Sequence, residues 1–157
     1  MAALSHIDDS NQPRMVDVSA KAETVRVATA SCQVTLGREL LSQMENGELR
    51  NKKGPVLQTA ILAGISGTKK TSDLIPLCHP LPLDSAQIEI SPHDEDSLLV
   101  TATAKTNSRT GVEMEALTGA SVAALTLYDM CKAANPGIVI SELKLVKKTG
   151  GKSDFQA

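Results

Sequence analysis

The segment Thr110–Ala134, TGVEMEALTGASVAALTLYDMCKAA, carries ionisable side chains at both ends. Glu115 and Asp129 lie close to a whole number of helical turns apart, so they project from similar faces, yet at 1.5 Å per residue about 21 Å separates them. An active site using both must serve different parts of a long substrate or be built from different subunits. Lys132 lies one turn beyond Asp129, and the ordinary reading of that pair is an exposed ion pair worth about a few tenths of a kcal/mol. A second amine, Lys53, precedes a helix opened by Gly54-Pro55, with proline at the first helical position. Positive charge is misplaced there unless an anion meets both the ammonium and the free amides; a solvated loop lysine is the competing reading. His79 stands in Thr71–Leu83, TSDLIPLCHPLPL, where Pro76, Pro80 and Pro82 stiffen the backbone and Pro80 pushes His79 toward an extended conformation. Hemmed in by Leu74, Ile75, Leu77 and Leu81, this imidazole is pre-oriented, either as a core histidine or as a proton-transfer group. Adjacent Cys78 and His79 are not a usual chelating pair, and no metal is assigned.

Several elements must position these groups. Thr110 and Glu113 form a capping-box pattern that predicts the start of the long helix, and Asn135-Pro136-Gly137 stops it. Within it Leu117, Val122, Leu125 and Tyr128 recur at helical spacing, while Gly119, Ala120, Ser121, Ala123 and Ala124 keep the middle thin enough for close packing. Thr24–Leu36 alternates as a long strand, with Arg26 on the face opposite Val25. Gly37–Glu45 reads as a short helix closed by the Asn46-Gly47 turn. The second helix follows Gly54-Pro55, its Ala60, Ala63, Gly64 and Gly67 again permitting tight packing. Gln87–Ser91 and Leu98–Thr106 read as a hairpin across PHDEDS, and Ile138–Lys147 as a last strand bent near Ser141-Glu142. Met15–Val18 is a short strand or a pairing tail. The order strand, helix, strand, strand, helix, strand is the ferredoxin-like split βαβ arrangement. The expected class is therefore α+β, an antiparallel sheet with helices on one face plus one extra short helix. A single domain is expected over residues 1–157, with a loose N-terminal arm over about 1–14 and a flexible C-terminal tail over about 148–157.

Aromatic residues make up 1% of the chain, without Trp and with one Tyr and one Phe. The core must be aliphatic, and base stacking of the kind used by RNA-reading sheets has no side chains to work with. A net charge of −2 and a pI near 5.9 give no pull toward nucleic acid or anionic membrane. Nothing resembles a signal peptide or a membrane span, which points to a cytoplasmic protein. Cys32, Cys78 and Cys131 lack the paired spacing of a zinc knuckle or a disulfide framework; Cys131 reads as a small buried hydrophobe. Gly150-Gly151-Lys152-Ser153 imitates the end of a phosphate loop, but Val146 stands where that loop needs glycine and no helix follows. Lys147, Lys148 and Lys152 remain as a solvated basic tail or as a flap over a phosphate-bearing ligand.

Four segments go beyond spacing: MVDVSAKAETVR at Met15–Arg26, DLIPLCHPL at Asp73–Leu81, TGVEMEALT at Thr110–Thr118 and ALTLYDMCKA at Ala124–Ala133. Together they closely resemble the cyclic pyranopterin monophosphate synthase (MoaC) family of molybdenum cofactor biosynthesis, over essentially the whole chain. The resemblance implies a lyase without redox chemistry. It would take the cyclised dihydro-GTP made by a radical GTP cyclase, its functional partner, and rearrange it to cyclic pyranopterin monophosphate, expelling pyrophosphate. It further implies that Lys53, Asp129 and Lys132 are catalytic, and that Leu77, Cys78 and His79 with Met114 and Glu115 hold the pterin precursor. Arg26, Glu113, Lys148 and Lys152 are additional candidates for substrate binding. The family is a homohexamer, a trimer of dimers, with active sites at subunit interfaces. No cofactor is required, although magnesium can accompany the substrate phosphates. The tail runs Gly-Gly-Lys-Ser-Asp-Phe, where some family members carry a further glycine before the aspartate. A lysine lowered by burial or neighbouring cations can act as acid or base, so Lys53 and Lys132 are the expected proton carriers. The competing class is a regulatory ligand sensor on the same fold, which would not need both lysines.

Overall fold

Strand β1, Thr24–Thr35, runs through the middle of the molecule. Its valines, alanines and threonines alternate, so Ala28, Ala30, Cys32 and Val34 share a face and are at most 1% exposed. The opposite face is polar: the Thr29 and Thr103 hydroxyls meet at 2.9 Å, and Gln33 Nε2 donates to Ser97 Oγ at 3.0 Å. The computed structural model describes residues 6–157.

After β1 come α1 (Arg38–Leu41), a small hairpin of β2 (Arg50–Asn51) and β3 (Gly54–Pro55), α2 (Val56–Thr68) and α3 (Thr71–Leu74). Then follow β4 (Ser85–Pro92), β5 (Ser97–Ser108), α4 (Glu113–Cys131), β6 (Val139–Thr149) and β7 (Phe155–Gln156). The main sheet has the order β4-β5-β1-β6-β7 and every pairing in it is antiparallel. Its first four strands reproduce the ferredoxin-like order, with α2 and α4 packed on one face. Among the described residues no helix is long and apolar enough to cross a membrane.

The core between helices and sheet is built from small side chains. Ala116, Ala120, Ala123, Ala124 and Leu127 of α4 are each 0% exposed and meet Val100, Ala102 and Ala104 of β5. Without bulky residues between them the helices nearly touch: a Cβ added to Gly64 would lie 2.9 Å from the Gly119 carbonyl oxygen and 3.0 Å from Ala123 Cβ. Larger side chains at these positions would push the two helices apart.

Several local expectations are corrected. The capping box does not form: α4 starts at Glu113 with Val112 as its cap and without a side-chain cap bond. The Glu113 carboxylate bends back over Gly111 instead and pairs with Lys148 Nζ at 3.0 Å. Pro55 caps α2 rather than entering its first turn, because it is paired with Arg50 in the β2–β3 hairpin. Leu125 faces outward at 60% exposure, the buried stripe being carried by the alanines. The Gly37–Glu45 helix shrinks to α1, although the Asn46-Gly47 turn forms with both residues at positive φ. Met15–Val18 forms no strand. Near Ser141-Glu142, β6 carries the expected bend as a register shift, with Glu142 at φ 55.

The chain ends also differ from expectation. The arm expected over about 1–14 lies partly outside the described residues; from His6 onward it forms a small loop closed by an Ile7–Pro13 bridge. The tail expected to be flexible from about 148 continues β6 to Thr149, turns, and returns as β7 against Lys147 and Lys148. Gly150 permits that turn, since its φ is +85 and any Cβ would collide with the Val25 carbonyl.

Candidate active site

Two clusters form at opposite ends of α4. At its C-terminal end Asp129 sits between two amines, with Lys132 Nζ 2.8 Å from Oδ1 and Lys53 Nζ 3.0 Å from Oδ2. Lys132 arrives from the same helix, one turn on, while Lys53 is presented by the turn between β2 and β3. Lys53 Nζ also donates to the Asp129 backbone carbonyl at 3.0 Å. That carbonyl belongs to the electronegative end of the helix, where cations are favoured. The expected conflict between Lys53 and the positive end of α2 is thus resolved by turning the amine toward a different helix.

Charge in this cluster is strongly coupled. Hydrogen bonds from Lys132 first and Lys53 second hold the Asp129 carboxyl down at about 2. In return the Asp129 carboxylate raises the Lys132 amine above its ordinary range. This is opposite in direction to the lowered lysine expected from the sequence, because the nearest charge to Lys132 is an anion rather than another cation. All three side chains remain about half exposed, at 52% to 56%. A cavity of about 360 Å³ opens beside them, with Leu40, Leu49 and Met130 in its wall and Arg50, Lys52 and Lys53 among its cations.

At the N-terminal end of α4, the proline-stiffened segment and the first helical turn enclose a cavity of about 160 Å³. Leu77, Cys78, His79, Glu113, Met114 and Glu115 all line it. His79 Nε2 donates to the Val16 carbonyl at 2.7 Å, which fixes the ring's orientation. The ring is half-buried and lines this cavity. Glu115 is 4% exposed, and burial pushes its carboxyl up to about 6. Burial, and then the Glu115 charge, push the Cys78 thiol up as well. This cavity offers a neutral thiol, an oriented imidazole and a carboxyl poised to exchange a proton near neutrality.

A neighbouring cavity of about 150 Å³ shares Thr110, Gly111 and Glu113 with the first and is lined by Arg26, Lys148 and Lys152. Arg26 is aimed by its own hydrogen bonds: Nε donates to the Ser108 carbonyl at 3.1 Å and Nη2 to that of Arg109 at 3.3 Å. Four cations line this hollow, which suits phosphate oxygens. Lys21, which also lines it, was not singled out from the sequence, and nothing in its spacing marks it.

Every candidate residue therefore falls in one of two groups. Lys53, Asp129 and Lys132 come together, as do Leu77, Cys78, His79, Met114 and Glu115, with Glu113, Arg26, Lys148 and Lys152 alongside. One chain does not bring the two groups to a single point, since α4 holds their anchor residues about 21 Å apart. Among the described residues no group of three or more His, Cys, Asp and Glu side chains is placed to hold a metal ion.

The MoaC family model matches residues 15–151. A cyclic pyranopterin monophosphate synthase of Peptoclostridium acidaminophilum is 50% identical over 149 residues, covering 95% of this chain and 93% of its own. A protein of the same name from Xanthomonas oryzae pv. oryzae is 49% identical over 156 residues, covering 99% and 94%. Another from Geobacillus sp. strain WCH70 is 49% identical over 158 residues, covering 98% and 90%.

Proposed function

The chain belongs to the MoaC family, and from that premise we propose how its two clusters carry the synthesis of cyclic pyranopterin monophosphate. The activity is that of a lyase in molybdenum cofactor biosynthesis acting on a small molecule. In the proposed reaction 3′,8-cyclo-7,8-dihydro-GTP, supplied by the radical GTP cyclase of the same pathway, is rearranged to the cyclic phosphate with release of pyrophosphate.

Three events need protein groups: opening of the imidazole-derived ring, closure of the pyran, and attack of a ribose hydroxyl on the α-phosphorus. In the last, a new P–O bond forms, the bond to the β-phosphate oxygen breaks, and the hydroxyl proton passes to a protein base. The observation that carries the assignment is the Lys53–Asp129–Lys132 contact set, with both amines within 3.0 Å of one carboxylate. Lys132, held charged by Asp129, begins as a cation and proton donor, and Asp129 keeps both amines aimed until substrate phosphates compete for them. Glu115 and His79 grip polar edges of the base while Arg26, Lys148 and Lys152 meet phosphate oxygens. Magnesium would travel on the substrate phosphates, where it adds neutralising charge.

Because the two clusters are a helix length apart, each active site is proposed to combine the N-terminal end of α4 from one protomer with the C-terminal end from another. A homohexamer assembled as a trimer of dimers supplies such pairings. Supplying the cyclised nucleotide to purified protein should yield pyrophosphate and the cyclic phosphate. Lys53→Ala and Lys132→Ala should lose that turnover while keeping their assembly by light scattering. Full turnover in either variant removes that lysine from the reaction, and an active monomer removes the shared site.

A further inference from the structure

We propose that Asn51 is a positioning residue for this reaction, its side-chain amide fixing the Lys53 ammonium against Asp129 by tying the β2–β3 turn to the last turn of α4. The inference rests on the catalytic reading of that cluster and deepens it. Asn51 Oδ1 accepts the backbone N–H of Lys53 at 2.8 Å, and Asn51 Nδ2 donates to the Met130 carbonyl at 2.7 Å. One planar group thus holds the lysine's main chain with one end and the residue next to Asp129 with the other.

The Met130 carbonyl is available because the helix ends there. In a continuing helix the Ala134 amide would reach it, but that amide donates to Cys131 at 2.9 Å instead. Asn51 Nδ2 on Met130 and Lys53 Nζ on Asp129 therefore occupy two successive carbonyls of the same frayed turn. The other side of the hairpin is anchored independently. Glu48 accepts the amides of Leu49 and Leu57 at 2.8 Å each and of Gln58 at 3.1 Å, bolting the hairpin's root onto the start of α2. With the root held by Glu48, Asn51 sets the tip. Lys53 needs this, because its side chain is half exposed and touches Asp129 only from a turn whose Gly54 sits at φ +115.

Two variants separate positioning from simple support of the fold. Asn51→Ala removes both bonds. Asn51→Ser keeps a hydroxyl able to accept the Lys53 amide in a similar turn but is too short to reach Met130. In both, kcat should fall roughly ten- to hundredfold, as expected when a reacting group is misplaced by about an ångström, with KM changed by less than about threefold. The second readout is the Asp129 carboxyl titration, followed by ¹³C NMR on the full assembly. It should move upward toward the ordinary carboxylate range in Asn51→Ala, as in Lys53→Ala, and the double variant should move it no further. An Asp129 titration unchanged by Asn51→Ala, or a shift that adds to that of Lys53→Ala, overturns the proposal. If the titration moves in both single variants and turnover changes in neither, the lysine cluster is not catalytic and the functional reading itself fails.

Discussion

In Glu115→Gln, a side chain that is 4% exposed loses the ability to ionise, and the folded state no longer has to hold that charge away from water. Burial raises the carboxyl from an ordinary 4.5 to about 6. At 1.36 kcal/mol per unit, this difference makes the ionised group cost the fold about 2 kcal/mol. The pH window follows from the direction of the shift. Below about 4.5 both folded and unfolded chains carry the neutral acid and there is no penalty. Between 4.5 and about 6 the unfolded chain gives up its proton first, so stability falls as pH rises, and above about 6 the whole penalty is present. Glu115→Gln should therefore exceed the parent in stability by about 2 kcal/mol near pH 8, shrinking to about 0.8 kcal/mol near pH 5. Denaturant unfolding at the two pH values, at equal protein concentration, measures the gap. Turnover should fall in the same variant, because the proposed grip on the substrate's base uses this carboxyl. A variant no more stable than the parent at pH 8, or a gap independent of pH, would show that Glu115 is not held against its charge.

Glu48→Gln should lower stability by about 0.5–2 kcal/mol at neutral pH, as losing a helix-terminal acceptor does. Burial alone would raise the Glu48 carboxyl, but the amides of Leu57, Gln58 and Leu49 outweigh it and hold the group below 4.5. Its contribution is thus present above the unfolded pKa and lost as pH falls through the folded one, so thermal unfolding at successively lower pH should bring variant and parent together. Gly64→Val should cost about 1–3 kcal/mol, read as a lower denaturation midpoint, since its first added carbon already meets the Gly119 oxygen at 2.9 Å. Gly150→Ala should lift the returning tail: the Ala157 amide, which donates to Val146 at 2.9 Å, should exchange faster with deuterium while the core amides do not.

Long alternating or periodic segments were legible in the sequence because one physical cause governs each. β1, β4, β5 and β6 alternate and α2 and α4 repeat, so their order was enough to reach the ferredoxin-like arrangement. Where two causes compete, the reading slipped. Thr110 and Glu113 have the residue types of a capping box, but Lys148 from β6, distant in sequence, offers Glu113 a charged partner. Leu125 has the right period for the core, but alanines allow α2 to come so close that no large side chain is wanted there. Lys53 was visible as an anomaly beside a helix start; what resolves it is the opposite end of another helix, some 76 residues away in the chain. Asn51 and Glu48 were not singled out from the sequence, since their partners at Met130, Leu57 and Gln58 are set by tertiary packing.

On the proposed shared site, a rod with half a catalytic centre at each tip would have a genetic consequence. If each centre draws one half from each of two protomers, a chain broken at one tip still carries an undamaged half at the other. Lys53→Ala and Glu115→Ala proteins, each inert alone, would then cure one another when unfolded together and reassembled as mixed particles. With equal amounts and random pairing about a quarter of the centres would be whole, so a blend of two dead enzymes would recover about a quarter of the parent's rate.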